Sequence, residues 1–516
     1  LAVDDFLLER GRGSLTIDLA LGLPLERRWA DFSLSGSGAD VRNLVARASV
    51  FEPHAAPFTL KSRGTLREDE LVIDSFNVTL GDGSVSGDGR LGFGESARTR
   101  FSVAGRIPDM AALGTVDGRE FSAQSLALSL DARGEGKSLD IGNLIVEMGG
   151  SDLQGTLRYA EGDVPRIEGR FRSDAFLIEP LFKKVELDVE PVAEREDERL
   201  IPDVALPLEA MRSIDADILI DIGVFRRGEF YAENVLFDAA LQNGAVELRE
   251  LRLDAKSGSL VSRGRLTPAE GGAQSEVELR ARDLAFGLAE TNRDLERTAD
   301  IDLSVAFIGD DLRTMLAAAN GFLLFDMRGG QVGRNAFLNA LYGDVLQQLL
   351  SVINPFYERN KPTELDCLVA PFDIVDGRLD AEPRLIVRTG KLNLFVLPKI
   401  NLGNERIDIS IRTTPRRGIS ISTAELFNPF VKVVGTLGSP TLAVDEQGVL
   451  ISGGAAVATG GLSILARAAW DRVGRRDNPC DSTREDALEA FADRMPALYL
   501  EPATSTDAVT NEGGSP

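Results

Sequence analysis

The chain has 516 residues, of which 43% are hydrophobic, and its formal net charge at pH 7 is −24. The hydrophobic share is typical of folded proteins, and the length allows several domains or one extended domain. The negative charge argues against a nucleic-acid-binding surface, which is normally basic. Two cysteines are too few for a framework of several disulfides.

Residues 1–190 predict a repetitive β-sheet region. Segments such as SLTIDLAL and FSVAGRI alternate apolar and polar residues, as strands with one apolar face do. The pattern of residues 71–91 recurs at 139–157 and 246–266, and each copy predicts two strands around a glycine-containing turn. Because the copies are unevenly spaced, they predict a degenerate array and not a solenoid of constant period.

Residues 187–203 interrupt this alternation with prolines and a run of charges, which predicts a solvated linker. Strand alternation returns in the region 204–445. Two helices are predicted within it. One lies near 310–320, with Asp310 as its N-cap and Asn320-Gly321 as its end, and the other spans 334–356 with apolar residues at helical spacing.

The C-terminal part predicts strands followed by helices and a tail. From Cys367 to Asp445, short alternating runs separated by turn residues predict four or five antiparallel strands. Residues 446–500 predict helices that cap the sheet, and the polar residues 501–516 predict a disordered tail. The fold class expected for the whole chain is therefore mainly β, with a few short helices near the C-terminal end.

The sequence contains no recognisable catalytic, metal or cofactor motif. The single histidine, His54, lies beside a proline, so no Ser-His-Asp arrangement can be assembled around it. There is no CxxC pair, and no phosphate-binding glycine loop precedes a helix. We therefore expect a protein without enzymatic activity, metal or cofactor.

Three motifs in the C-terminal strands resemble the AsmA family of bacterial envelope proteins. They are CLVAPFDIVDGRL at 367–379, INLGNERIDISIRTTP at 400–415 and VGTLGSPTLAVD at 434–445. Segments at 204–222 and 309–332 also resemble the family. The first 200 residues are similar to it only in the general character of their sequence and contain none of these motifs.

The resemblance implies a long, bent antiparallel sheet folded like a taco around an elongated groove. It also implies a periplasmic protein, anchored to the inner membrane by an N-terminal helix that would be missing from this sequence. The partners it implies are phospholipids, the inner and outer membranes and envelope assembly proteins. The two cysteines could be unrelated free thiols, but the resemblance favours a disulfide between Cys367 and Cys480.

Alternation predicts which side chains line the apolar interior of such a groove. The candidates are Ile218, Ile220, Ile222, Ile301, Leu303, Val305, Leu392, Leu394, Ile407, Ile409 and Ile411. We expect a groove that binds or conducts phospholipid acyl chains and supports outer-membrane biogenesis. The alternative is an assembly factor for outer-membrane proteins whose core is filled by its own side chains. A β-helix enzyme acting on polysaccharide is disfavoured, because no cluster of carboxylates can be assembled on one wall.

Overall fold

The computed structural model describes residues 2–10, 13–22, 29–43, 51–93, 98–116, 118–178, 183, 199–228, 230–255, 257–285, 298–332, 363–381, 383–390, 392–416, 430–444 and 478–498. Most of these residues lie in strands, so the prediction of a mainly β fold is confirmed. The strands belong to one large mixed sheet and one three-stranded sheet. The chain divides into two compact units: Leu1–Ala193 with Leu208–Arg249 (unit 1), and Glu194–Pro207 with Glu250–Pro516 (unit 2).

Unit 1 contains the first sixteen strands and one short helix. The strands are β1 (Ala2–Arg10), β2 (Gly13–Gly22), β3 (Trp29–Gly38), β4 (Phe51–Pro53), β5 (Phe58–Arg67), β6 (Glu70–Leu80), β7 (Gly83–Gly92), β8 (Arg98–Ile107), β9 (Gly114–Val116), β10 (Arg119–Glu120), β11 (Leu126–Glu135), β12 (Ser138–Met148), β13 (Ser151–Ala160), β14 (Arg166–Leu177), β15 (Asp215–Arg227) and β16 (Phe230–Gln242). Helix α1 spans Leu208–Arg212, and 3-10 turns span Val41–Asn43 and Met110–Ala112. Strands β4, β9 and β10 form the small sheet.

The expected antiparallel arrangement does not hold throughout the described strands. Strands β13 and β14 pair antiparallel, but β14 and β15 run parallel, with Gly169 opposite Ile218 and Phe171 opposite Ile220. Parallel neighbours need a long crossover connection and cannot be joined by a tight turn. The connection between β14 and β15 contains the charged segment 187–203. Alternation predicts a strand on either side of this segment, but it does not predict whether those two strands pair parallel or antiparallel.

The recurring sequence pattern corresponds to recurring hairpins. The first copy forms β6–β7 and the second β12–β13, and Gly81 and Gly149 have the same left-handed φ of +56° after the first strand of each. Both hairpins have a register shift at the equivalent position, between Ile73 and Phe76 and between Ile141 and Leu144. The repeat thus specifies the bulge as well as the turn.

Unit 2 contains most of the remaining elements. Strand β17 (Ala245–Ala255) includes the boundary between the units. It is followed by β18 (Ser259–Ala269), β19 (Gly272–Ala285), β20 (Thr298–Gly309), β21 (Asn320–Val332), β22 (Thr363–Val375), β23 (Arg378–Asp380), β24 (Leu385–Thr389), β25 (Leu392–Asn401), β26 (Arg406–Pro415), β27 (Phe430–Thr436) and β28 (Pro440–Val444). Helix α2 spans Leu312–Ala317, α3 spans Pro479–Phe491, and a 3-10 turn spans Ala492–Arg494.

Helix α2 is shorter than predicted and is capped by Asp311 instead of Asp310. The Asp311 carboxylate accepts a 2.8 Å hydrogen bond from the Thr314 N–H, and the Thr314 hydroxyl accepts one of 3.1 Å from the Asp311 N–H. This reciprocal capping box determines where the helix begins. Asn320 opens strand β21 instead of ending the helix, because it pairs with Ala306 of β20.

Only some of the other C-terminal predictions concern residues that the structure describes. Helix α3 lies in the region 446–500, where capping helices were expected, and the Asn478 side chain caps it by accepting from the Cys480 N–H at 3.3 Å. The predicted helix at 334–356, the segment 446–477 and the tail 501–516 lie outside the described residues.

One core of unit 2 lies between α3 and one face of the sheet, here called the helix-covered face. It consists of Phe322, Leu324, Cys367, Val369, Ile386 and Phe395 from the strands, with Cys480, Ala487 and Phe491 from the helix segment. Phe322, Val369 and Ile386 are each 0% exposed. The Phe322 and Phe491 rings stack at 4.7 Å between centroids, and both are almost completely buried, so α3 forms part of a filled core.

Candidate functional site: apolar faces of the sheet

The register of unit 1 places most of its large apolar side chains on one face, although Val72, Ile145 and Leu219 lie on the other. Residues directly opposite one another on paired strands share a face. Phe32 lies opposite Gly64, which lies opposite Ile73, and the same relationship continues strand by strand to Ile220 and Phe237 of β15 and β16. We call this the apolar face of unit 1: Phe32, Leu34, Ile73, Phe76, Val78, Phe101, Val103, Leu128, Ile141, Leu144, Val146, Leu157, Phe171, Ile218, Ile220 and Phe237.

The opposite face of unit 1 is polar and contains ion pairs. Arg249 contacts Asp217 at 2.8 Å and Asp238 at 2.6 Å, and Arg170 contacts Asp217 at 2.8 Å. The hydrogen bond from Arg249 is the main cause that lowers the pKa of the Asp217 carboxyl, burial works against it, and Arg170 adds to the lowering. The sheet of unit 1 is therefore amphipathic across its width.

The apolar face of unit 1 is not covered as a protein core is. The residues named above are half-buried, whereas Phe58 and Ala132, which the register places on the same face, are buried. Ile222, the next predicted residue along β15, is buried, at 8% exposure beside Ser173. Side chains in a filled core are almost completely buried, as Phe322 and Val369 are in unit 2. Among the described residues, unit 1 thus presents an apolar surface that is largely half-buried.

Aromatic rings on this face pack over glycines of the neighbouring strand. A Cβ atom at Gly64 would lie 2.9 Å from the Phe32 ring, and one at Gly155 would lie 2.9 Å from the Phe171 ring. Gly87 has the same relationship to Phe76, at 2.7 Å. These glycines leave room for the rings against the sheet. Sequence reasoning missed the pairs, although glycines inside alternating strands were a signal for close approach.

In unit 2 the register brings the predicted residues together on the face opposite α3. Ile301 lies opposite Phe325, and Phe325 lies opposite Ala370 of β22. Two residues before Ala370, Leu368 lies opposite Val387, which lies opposite Leu394. We call this the isoleucine face, and its predicted members are Ile301, Leu303, Val305, Leu392, Leu394, Ile407, Ile409 and Ile411. Ile218, Ile220 and Ile222 belong to unit 1.

The isoleucine face is unevenly covered. Ile301, Leu303, Leu394 and Ile409 are half-buried. Leu392, Ile407 and Ile411 are buried in a cluster with Val396, Val431 and Val433. Val305 is buried beside Ala319 and Ile374. One face of unit 2 therefore includes both half-buried and closely packed apolar side chains.

Cys367 and Cys480 are joined in a disulfide, with their Cα atoms 6.5 Å apart. The bond links strand β22 to the first turn of α3, and both residues are buried. Arg484, about one turn further along the helix, contacts Asp326 of β21. The disulfide and this ion pair both hold α3 on the helix-covered face.

The described residues contain no group of three or more His, Cys, Asp or Glu side chains that could hold a metal ion. His54 lies in a loop, where its backbone N–H donates a 2.9 Å hydrogen bond to the Leu113 backbone carbonyl. Within the described ranges, no helix is long and apolar enough to cross a membrane.

Comparison with known proteins adds no family assignment. No family model matches the chain, and no curated protein matches it. The likeness to the AsmA family therefore rests on the motifs of the C-terminal strands and remains a hypothesis.

Proposed function

We propose that this protein is a non-enzymatic lipid-binding protein of the periplasm, and that its apolar sheet faces hold phospholipid acyl chains passing between the inner and outer membranes. One observation carries the proposal: the apolar face of unit 1 is continuous from strand to strand, and most of its described side chains are half-buried, although Phe58, Ala132 and Ile222 are buried. A face of this kind is unusual for a soluble protein unless something covers it.

An acyl chain fits this surface energetically. Burying hydrocarbon contributes about 0.8 kcal/mol per CH₂ group, so a chain lying along several strands gains substantial free energy. The backbone N–H and C=O groups of the strands are already hydrogen-bonded to neighbouring strands. The side chains of the apolar face therefore offer a ligand mainly hydrocarbon contacts. The charged head group would stay in water, because burying an unpaired charge is costly.

Two further features support the location and the partners. A buried disulfide is typical of proteins in oxidising compartments such as the bacterial periplasm. The motifs that resemble the AsmA family favour an inner-membrane anchor, a role in outer-membrane biogenesis, and envelope assembly proteins as partners.

The second candidate function is an assembly factor for outer-membrane proteins with a core filled by side chains. The cluster around Ile407, Ile411 and Val431 favours it, because that part of the isoleucine face is fully packed. It does not account for the half-buried face of unit 1.

Lipid extraction from the purified protein, followed by mass spectrometry, separates the two candidates. The lipid-binding function predicts phospholipid at or above one molecule per chain after detergent-free purification. Protein that is folded by circular dichroism and free of phospholipid would contradict it and favour the assembly factor.

A further inference from the structure

An irregular segment of unit 2, residues 199–206, pairs with the start of helix α2 and is here called the strap. The Leu206 N–H donates a 2.9 Å hydrogen bond to the Asp310 carbonyl. The Leu312 N–H in turn donates a 3.1 Å bond to the Val204 carbonyl, and an isolated antiparallel bridge joins the same two segments. One half of the strap is therefore attached to α2 through its backbone, as an added strand would be.

Glu405, in the turn between β25 and β26, holds the other half of the strap. One oxygen of its carboxylate accepts a 2.7 Å hydrogen bond from the Leu200 N–H, and the other accepts a 3.0 Å bond from the Ile201 N–H. Arg313 of α2 donates a 2.9 Å bond to the Ile201 carbonyl. The contacts that hold this half of the strap are thus polar.

Glu405 combines two features that cost free energy. Its φ is +58°, in the left-handed region that residues with a Cβ atom rarely adopt. It is also only 1% exposed, so its carboxylate has lost its contact with water. Hydrogen bonds from two backbone N–H groups to a charged acceptor offset part of this cost. The net gain from holding the strap is therefore smaller than its hydrogen bonds alone suggest.

The strap contributes no buried side chain to the fold. Leu200 is 38% and Val204 56% exposed, and Ile201 and Leu206 are half-buried. Segments with few buried apolar contacts open locally, without unfolding of the rest of the protein. Helix α2 differs from the strap in this respect, because its Met315 is buried. The strap can therefore leave its place while α2 keeps its packing.

We propose that the strap is a latch that opens and closes as one unit, and that Glu405 is the residue that holds it closed. Opening breaks the bonds of Leu200 and Ile201 to Glu405 together with that of Leu206 to α2, because all three lie in one short segment. It hydrates the Glu405 carboxylate and releases this part of the connection between β14 and β15 from α2. The latch goes beyond the proposed function and does not rest on lipid binding.

Hydrogen exchange resolved to single amides by fragmentation mass spectrometry tests the latch. In the unaltered protein, the strap amides should exchange about tenfold or more faster than those of β21, and dilute urea should not accelerate them. Glu405→Gln replaces one accepting oxygen with an NH₂ group. It should accelerate exchange about tenfold or more at Leu200 and Ile201, and equally at Leu206, whose N–H bonds to Asp310 instead. Glu485→Gln, exposed in α3, is the matched control and should change none of these rates.

Three results would overturn the latch. Strap amides as slow as those of β21 in the unaltered protein would show that the strap is a fixed part of the fold. Faster exchange of Leu200 and Ile201 with Leu206 unchanged would show that the strap does not open as a unit. Unchanged exchange in the variant would show that Glu405 does not hold it.

Glu405→Gly is the second variant, in case glutamine disturbs the turn. It removes the carboxylate and suits the left-handed φ, so it should accelerate the same three amides. These experiments contain no lipid, so their outcome is independent of the test for bound phospholipid.

Discussion

Arg484 of helix α3 donates a 2.8 Å hydrogen bond from Nη2 to Oδ1 of Asp326 in strand β21, and a second bond from Nε to the same carboxylate. Asp326 is 4% exposed, and leaving a buried carboxylate without an oppositely charged partner is strongly unfavourable. The pair raises the pKa of Arg484, mainly through the Asp326 hydrogen bond. It connects residues that are 158 positions apart and holds the helix on the face opposite the isoleucine face.

Replacing Arg484 with Met should lower the free energy of unfolding of unit 2 by about 2–4 kcal/mol, because it leaves the buried Asp326 carboxylate without its arginine. The matched control is Lys137→Met, which removes an exposed pair with Glu161 at 3.0 Å and should cost no more than about 1 kcal/mol. Urea unfolding measures both changes. Equal effects of the two variants would show that the Arg484 pair does not hold the helix.

Reducing the disulfide should destabilise the attachment of α3. The bond closes a loop with a sequence separation of 113, for which the chain-entropy model gives about 4–5 kcal/mol. The double variant Cys367→Ser and Cys480→Ser should show a lower urea midpoint and faster proteolysis within 478–498. If the variant and the oxidised protein unfold at the same urea concentration, the bond does not stabilise the fold.

Exchanging Gly87 for Ala should destabilise unit 1 by about 1–3 kcal/mol. The new Cβ would lie 2.7 Å from the Phe76 ring and 2.2 Å from the Ser102 carbonyl oxygen, so strand or ring must move. Gly142→Ala is the matched control, because that glycine has no neighbouring atom within 4 Å of the new Cβ. Thermal unfolding should separate the two variants; similar melting temperatures would contradict the packing of Phe76 over Gly87.

The ion pairs of Asp217 should make unit 1 more stable at neutral than at acidic pH. Arg249, more than Arg170, lowers the pKa of this carboxyl below its ordinary value of 3.8. A group with a lowered folded-state pKa contributes stability that is complete above its unfolded-state pKa and is lost as pH falls through the folded-state pKa.

Asp217→Asn should therefore lower the free energy of unfolding most at pH 7. The difference in this free energy between the variant and the unaltered protein should shrink as pH falls below about 3.8. Urea unfolding at pH 7 and pH 3 measures this, with the exposed Asp74→Asn as control. A cost of Asp217→Asn that is the same at both pH values would show that the charge of Asp217 does not stabilise unit 1.

The strands and their two faces could be predicted from the sequence, because alternation along each strand is a local property. Ile301, Leu303, Leu394 and Ile411 do share one face. What lies over a face depends on distant residues, so alternation could not show that Ile411 is packed and Leu303 half-buried. The parallel pairing of β14 with β15 also escaped prediction, since it follows from the path of the crossover.

Two neighbouring residues of strand β6 test most directly whether the apolar face of unit 1 holds acyl chains. Val78 lies on the apolar face of unit 1, and Asn77 is exposed on the polar face. Val78→Glu introduces an unpaired charge into the surface proposed to hold acyl chains, whereas Asn77→Glu places the same side chain in water. The measurement is the amount of phospholipid that co-purifies with each folded variant. We predict that Val78→Glu loses most of its bound lipid and that Asn77→Glu keeps the full amount. A folded Val78→Glu protein with an undiminished lipid load would contradict lipid binding on this face.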